Sequence, residues 1–160
     1  MIHITLKDGA VREYAEPVSA GAVAADISQG LARTALAAEI DGAVIEKDCC
    51  LKFLTFDDEG GRLAFRHTAS HVLAQAVKRL YPEAKLAIGP AIDDGFYYDF
   101  DTPVPFTPEM LEALENEMRK IVKENHALRR FTLSRAEAVQ MMQEKDEPYK
   151  VELIEALPAD

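Results

Sequence analysis

His67 and His71 stand four residues apart in the stretch RHTASHVLAQAV, residues 66–77. On a helix this spacing stacks both imidazoles on one face, one turn apart. Such a pair can hold a metal ion as two of its ligands, can move a proton, or can be two polar residues on a wet surface. A catalytic zinc ordinarily takes a third protein ligand, and the helical metalloprotease motif places Glu directly after the first His. Thr68 occupies that position, so the protease reading fails, while the spacing alone leaves the other options open. Lys150, after Pro148-Tyr149, is a further candidate, because a lysine in a cleft can lose its proton and act as a base, although most lysines are solvated. Asp93, Asp94, Asp99 and Asp101 lack the glycine and terminal glutamate of a calcium-binding EF-hand loop. Turn chemistry and an exposed strand face account for them.

The elements that must position these groups fall in two blocks. They meet at Asp57-Asp58-Glu59-Gly60-Gly61, an acidic, glycine-ended linker signal. In the first block Ile2, Ile4 and Leu6 alternate with polar residues, Asp8-Gly9 offers a turn, and Val11 to Tyr14 returns as a hairpin partner. Ser19 caps a short helix to Ile27, and further strands are expected at Ala35–Ile40 and Leu51–Phe56 around a turn at Asp41-Gly42. That is a small α+β grasp-type module with no nucleophile or base constellation, its His3 in a structural role.

The second block opens with the histidine helix. Ala69, Val72, Leu73, Ala76, Val77 and Leu80 form an apolar stripe nearly opposite His67 and His71, and Ala74 and Lys78 continue the histidine face. A strand pair is expected next, Lys85–Ile88 against Phe96–Asp101, with Phe96, Tyr98 and Phe100 on one face. Thr107-Pro108 starts a helix whose apolar side is Met110, Leu111, Leu114, Met118, Ile121 and Val122. Strands are expected at Leu128–Leu133 and Lys150–Ile154, on either side of a third helix signalled by the capping box of Ser134 and Glu137.

Composition narrows the function classes. A net charge of −10 in 160 residues argues against a general nucleic-acid binder. The six Lys or Arg between Arg119 and Arg135, against the single acid Glu124, form a local patch that suits either a phosphate or a solvated helix end. Apolar content of 48% and charged content of 29% fit a soluble domain. No apolar run approaches the roughly 20 residues of a membrane helix, and no signal peptide is visible. Cys49 and Cys50, the only cysteines, are adjacent. That spacing suits neither a disulfide framework nor a zinc site, and points to a reducing cytoplasm.

The run RHTASHVLAQAVKRLYPEAKLAIGPAIDDGFYYDFD closely resembles the start of the editing domain of bacterial threonyl-tRNA synthetases. In that family an HxxxH helix is followed by an IGP-x-x-D-x-GFYYD segment, present here as Ile88-Gly89-Pro90, Asp93 and Gly95 to Asp99. Glu147 to Val151 resembles the family's Y-K-V segment. The first block resembles its N-terminal TGS module, a ubiquitin-like β-grasp. The resemblance therefore implies an α+β chain with a TGS domain at residues 1–60 and a truncated N-terminal part of the editing domain at residues 61–160. It further implies that His67, His71 and Lys150 are catalytic, and that Gly89 and Tyr98 bind substrate. The partner implied is the 3′ end of tRNA(Thr), with neither metal nor other cofactor in this region.

The parent enzymes ligate threonine to tRNA with ATP. Their ATP, Mg and Zn sites, and the homodimer contact, are expected in a catalytic domain absent here, as is a second half of the editing site carrying a cysteine and a histidine. The segment between Gly42 and Leu51 looks shorter than in other TGS modules, and Cys49-Cys50 is not a family pattern. TGS modules also occur in stringent-response proteins and GTPases, so a catalytically incomplete binding or regulatory fragment is the alternative. A free-standing trans-editing hydrolase of the alanyl type, in which related histidines bind zinc, ranks below it because the cysteine–histidine half is missing.

Overall fold

The computed structural model describes residues 1–15, 17–40, 49–129 and 131–158. These divide into two compact units, Met1–Arg66 and His67–Asp160.

In the first unit, β1 (Ile2–Leu6) and β2 (Val11–Tyr14) pair antiparallel with Ile2 opposite Tyr14. Gly9 takes the left-handed position of their turn (φ 85°), where a side chain would be strained. The Asp8 carboxylate accepts the Ala10 amide at 3.0 Å and closes that turn. Ser19 accepts the Ala22 amide at 3.2 Å and caps α1 (Ala20–Ile27). A six-residue helix, α2 (Gln29–Thr34), follows from a second serine cap at Ser28. It was not anticipated, because six residues containing Gly30 show no apolar stripe. It shortens the strand expected from Ala35 to β3 (Ala37–Glu39).

β4 (Cys49–Leu54) runs parallel to β1 and antiparallel to β3, which completes a mixed sheet in the order β2-β1-β4-β3. Ile2, Ile4 and Leu51 on one sheet face bury Val23 of α1, the grasp arrangement. The expected turn at Asp41-Gly42 and most of the shortened segment lie outside the described residues.

The expected linker is instead the start of a helix, α3 (Glu59–Leu80). Asp58 receives the Thr55 amide at 2.9 Å, and Gly61 packs so closely that a Cβ there would sit 1.8 Å from the Thr55 carbonyl oxygen. The glycine pair thus serves close approach rather than flexibility. Gly61→Ala is expected to cost about 1–3 kcal/mol, since backbone rather than a movable side chain must yield. A urea midpoint unchanged from wild type would contradict this.

In the second unit Ala76 and Val77 of α3 meet Leu114 and Ile121 of α4 (Pro108–Glu124), with Ala84, Phe100 and Phe106 around them. Arg79 grips both Glu124 oxygens at 2.7 Å and Glu117 at 3.2 Å, tying α3 to α4. This holds the Glu124 carboxyl down at about 2. Leu111 and Val122, expected on the apolar side of α4, are exposed. The capping box forms in full at α5 (Arg135–Glu144).

Two expected strands do not form among the described residues. Residues 127–129 and 131–133 have no regular structure, with Leu128 and Phe131 exposed. Lys150–Ile154 lies within a helix, α6 (Pro148–Glu155). Pro148 at its first position presets the helical φ and needs no amide partner, which outweighs the short apolar alternation. The basic patch is also dispersed: Arg119 pairs with Glu115, Lys120 with Glu117, and Arg135 with the Pro158 carbonyl. The acids that pair with Arg119 and Lys120 lie one turn earlier on α4, outside the window that defined the patch, and Arg130 lies outside the described residues.

The Lys85–Asp101 region is not one continuous strand pair. β5 (Lys85–Leu86) pairs with β8 (Phe100–Asp101), and β6 (Ala91–Ile92) with β7 (Gly95–Phe96), each antiparallel. Between the two ladders the Ala87 amide donates to Asp99 O at 3.0 Å, while the Asp99 amide donates to Ile88 O at 2.8 Å. Two residues therefore oppose one, a β-bulge.

Candidate functional site

The site is assembled in the second unit from α3, the bulge, the strand region before β8, and α6. His67 and His71 face each other with Nε2 atoms 3.0 Å apart and rings at 84°. At that distance one ring donates and the other accepts, so the pair holds a single Nε2 proton between them. The His71 pKa is lowered, first by burial, then by the charges of His67 and Lys150. The imidazoles keep an exposed flank.

Ala74 and Lys78 do not continue a wet histidine face. Ala74 is buried, and the Lys78 ammonium donates to the carbonyls of Pro82 and Ala84 at 2.9 Å each and pairs with Glu147 at 3.0 Å. The Ser70 hydroxyl, fully buried, lies 2.8 Å from His67 O and 3.0 Å from Gly89 O, sharing its one proton between two carbonyls and holding the bulge region against α3. Sequence reasoning missed Ser70. Its only signal was a small polar residue on the flank of the histidine face that turned out to be packed.

Gly89 lies against the Tyr98 ring: a Cβ there would stand 2.0 Å from Cδ2 and 2.4 Å from Cε2. The absent side chain is what admits the ring. Tyr98 in turn stacks on Phe100 at 4.7 Å and brings its hydroxyl to 3.5 Å from Lys150 Nζ. Lys150 lies in the first turn of α6 and donates to Ala87 O at 2.8 Å. The bulge makes that acceptor free, because Asp99 takes Ile88 O in its place. All five residues expected at the site, His67, His71, Gly89, Tyr98 and Lys150, thus meet in one linked set of contacts. Among the described residues no group of three or more His, Cys, Asp or Glu side chains is gathered to hold a metal ion, and none of their helices is long and apolar enough to cross a membrane.

The histidine pair and the Lys150–Tyr98 contact thus lie on an α+β unit that follows a β-grasp module. Residues 2–55 match the TGS domain family. The chain as a whole is 63% identical to the threonine–tRNA ligase of Acetivibrio thermocellus, over 99% of this chain and 26% of that protein. It is 60% identical to that of Clostridium botulinum over the same shares, and 58% identical to that of Clostridium acetobutylicum over 100% of this chain and 26% of the relative. In sequence, the chain corresponds to the N-terminal region of threonine–tRNA ligases and carries their TGS domain. It spans about a quarter of the length of these relatives.

Proposed function

We propose that this chain supplies the proofreading region of a threonine–tRNA ligase, hydrolysing serine wrongly attached to tRNA(Thr). The observation that carries the reading is that the His67–His71 pair and the Lys150–Tyr98 contact, drawn from three separate segments, are tied together through Ser70 and Gly89. Serine lacks one methyl group of threonine, and a gap of that size yields only about 1–3 kcal/mol of discrimination, so a second, hydrolytic site has a physical reason to exist.

In the proposed step a water oxygen attacks the ester carbonyl carbon and the bond to the ribose oxygen breaks. The ribose oxygen leaves with a proton, giving free serine and a tRNA 3′ hydroxyl. The imidazole that donates its Nε2 proton within the pair takes a proton of the water at its free Nδ1 and returns it to the leaving ribose oxygen, while the Lys150 ammonium steadies the charge growing on the carbonyl oxygen. The ribose and adenine of the tRNA end lie on the exposed flank of the imidazoles. Ligation of threonine with ATP, the metals it requires and subunit pairing belong to the same proposal and are assigned to parts of the enzyme other than these residues, with a cytoplasmic setting for the whole.

The test is hydrolysis of seryl-tRNA(Thr) by the chain, beside His71→Ala. Turnover that this substitution abolishes supports the reading. Absence of turnover with retained tRNA binding would favour a TGS-containing binding module. The pH profile supplies a second check. Because His71 is held below its ordinary 6.5, it remains neutral until the pH falls beneath that value. Activity should therefore be level near neutrality and drop about tenfold per unit further into acid. An acid limb centred above 6.5 would contradict the assignment.

A further inference from the structure

We propose that Glu147 is the positioning residue for Lys150, acting through a buried carboxylate that locks the first turn of α6 onto β5. Glu147 is the residue before that helix and only 5% exposed. One carboxylate oxygen pairs with Lys78 Nζ of α3 at 3.0 Å, and the other accepts the Leu86 amide of β5 at 3.0 Å. Three residues later, Lys150 donates to the carbonyl of Ala87, the neighbour of Leu86. The turn therefore grips two consecutive residues, the last of β5 and the one that follows it, by an acceptor at its start and a donor one turn on.

The flanking residues add to the hold. Asp146 pairs with Lys85, and the Tyr149 hydroxyl donates to Asp101 at 3.0 Å. Both of these are exposed contacts, in which solvent competes. Glu147 is the buried one, and with its Lys78 partner it spans α3, β5 and α6. A side chain as long and free as lysine reaches one place consistently only if its backbone is fixed, and the Glu147 contacts fix it. Burial of a charge pair costs desolvation and is poor value for stability alone. A requirement to hold Lys150 beside Tyr98 accounts for it.

The kinetic consequence rests on the hydrolytic reading, whereas the geometric one does not, so the experiment measures both. Reductive methylation of the full chain, read lysine by lysine by mass spectrometry well below the unfolding temperature, reports how firmly Lys150 is held. In Glu147→Gln the Lys150 rate should rise at least about fivefold, with exposed Lys123 unchanged as the internal reference. In parallel, seryl-tRNA hydrolysis should lose about tenfold or more in kcat with KM within about twofold. Should circular dichroism show that Glu147→Gln does not fold, Glu147→Asp, which keeps the charge but withdraws the carboxylate by one methylene from both Lys78 and Leu86, is read in the same way. A folded variant whose Lys150 labels at the wild-type rate overturns the positioning role, whatever its activity. Faster labelling in a chain whose wild type never hydrolyses the ester upholds the positioning role and counts against hydrolysis by this chain alone.

Discussion

Gly89→Ala is expected to cut seryl-tRNA hydrolysis about a hundredfold, the loss typical of displacing a reacting arrangement by an ångström. The new methyl would stand 2.0 Å from the Tyr98 ring, where ordinary contact begins at 3.4 Å. The ring must therefore swing away by more than an ångström. It cannot do so while remaining stacked on Phe100 at 4.7 Å or keeping its hydroxyl near Lys150. Overpacking of this kind also destabilises, by about 1–3 kcal/mol. The double variant Gly89→Ala/Tyr98→Ala separates the two effects. It should regain part of the stability, since the clash is gone, without regaining activity, since the wall beside Lys150 is gone too. Wild-type kinetics in Gly89→Ala would show that Tyr98 is not fixed by this contact.

The largest effect on stability is expected at the Lys78–Glu147 pair. Replacing Glu147 by Leu removes the ammonium's partner and leaves the Leu86 amide without its acceptor. Loss of one member of a buried pair costs about 3–5 kcal/mol, a large share of a small unit's total. Lys78→Met should cost a comparable amount, because Glu147 is left buried and charged. The double variant Lys78→Met/Glu147→Leu should be less destabilised than the two singles together, because no unpaired charge remains. Urea unfolding of the four chains measures the coupling. Strictly additive losses would mean that the two groups do not act as a pair.

The local elements were legible because their determinants lie within a turn of one another. Ser19, Thr107 and Ser134 each receive the amide three residues on, and this is visible as a residue type followed by a helical pattern. The hairpin of β1 and β2 was legible for the same reason, in the alternation of Ile2, Ile4 and Leu6 around Asp8-Gly9. Reading failed where a local pattern had two solutions. Lys150–Ile154 alternates well enough for a strand, yet Pro148 and the contacts of Glu147 make it a helix. Gly60-Gly61 has the composition of a linker, yet Gly61 is small because the Thr55 carbonyl needs the space.

The same division holds at the site. The sequence by itself determined that His67 and His71 share one helical face, because four-residue spacing guarantees it wherever the helix packs. Its resemblance to a known family then indicated Gly89, Tyr98 and Lys150 as companions. Only the tertiary structure decided what each companion does. Gly89 is an empty seat for a ring, Lys150 rests on a carbonyl that a bulge releases, and Ser70 and Glu147, carrying no motif, hold the walls in place. Those roles arise from contacts between residues 9 to 69 positions apart, from Gly89 and Tyr98 to Lys78 and Glu147. No local spacing encodes such contacts, because they exist only once packing has brought the separate elements together.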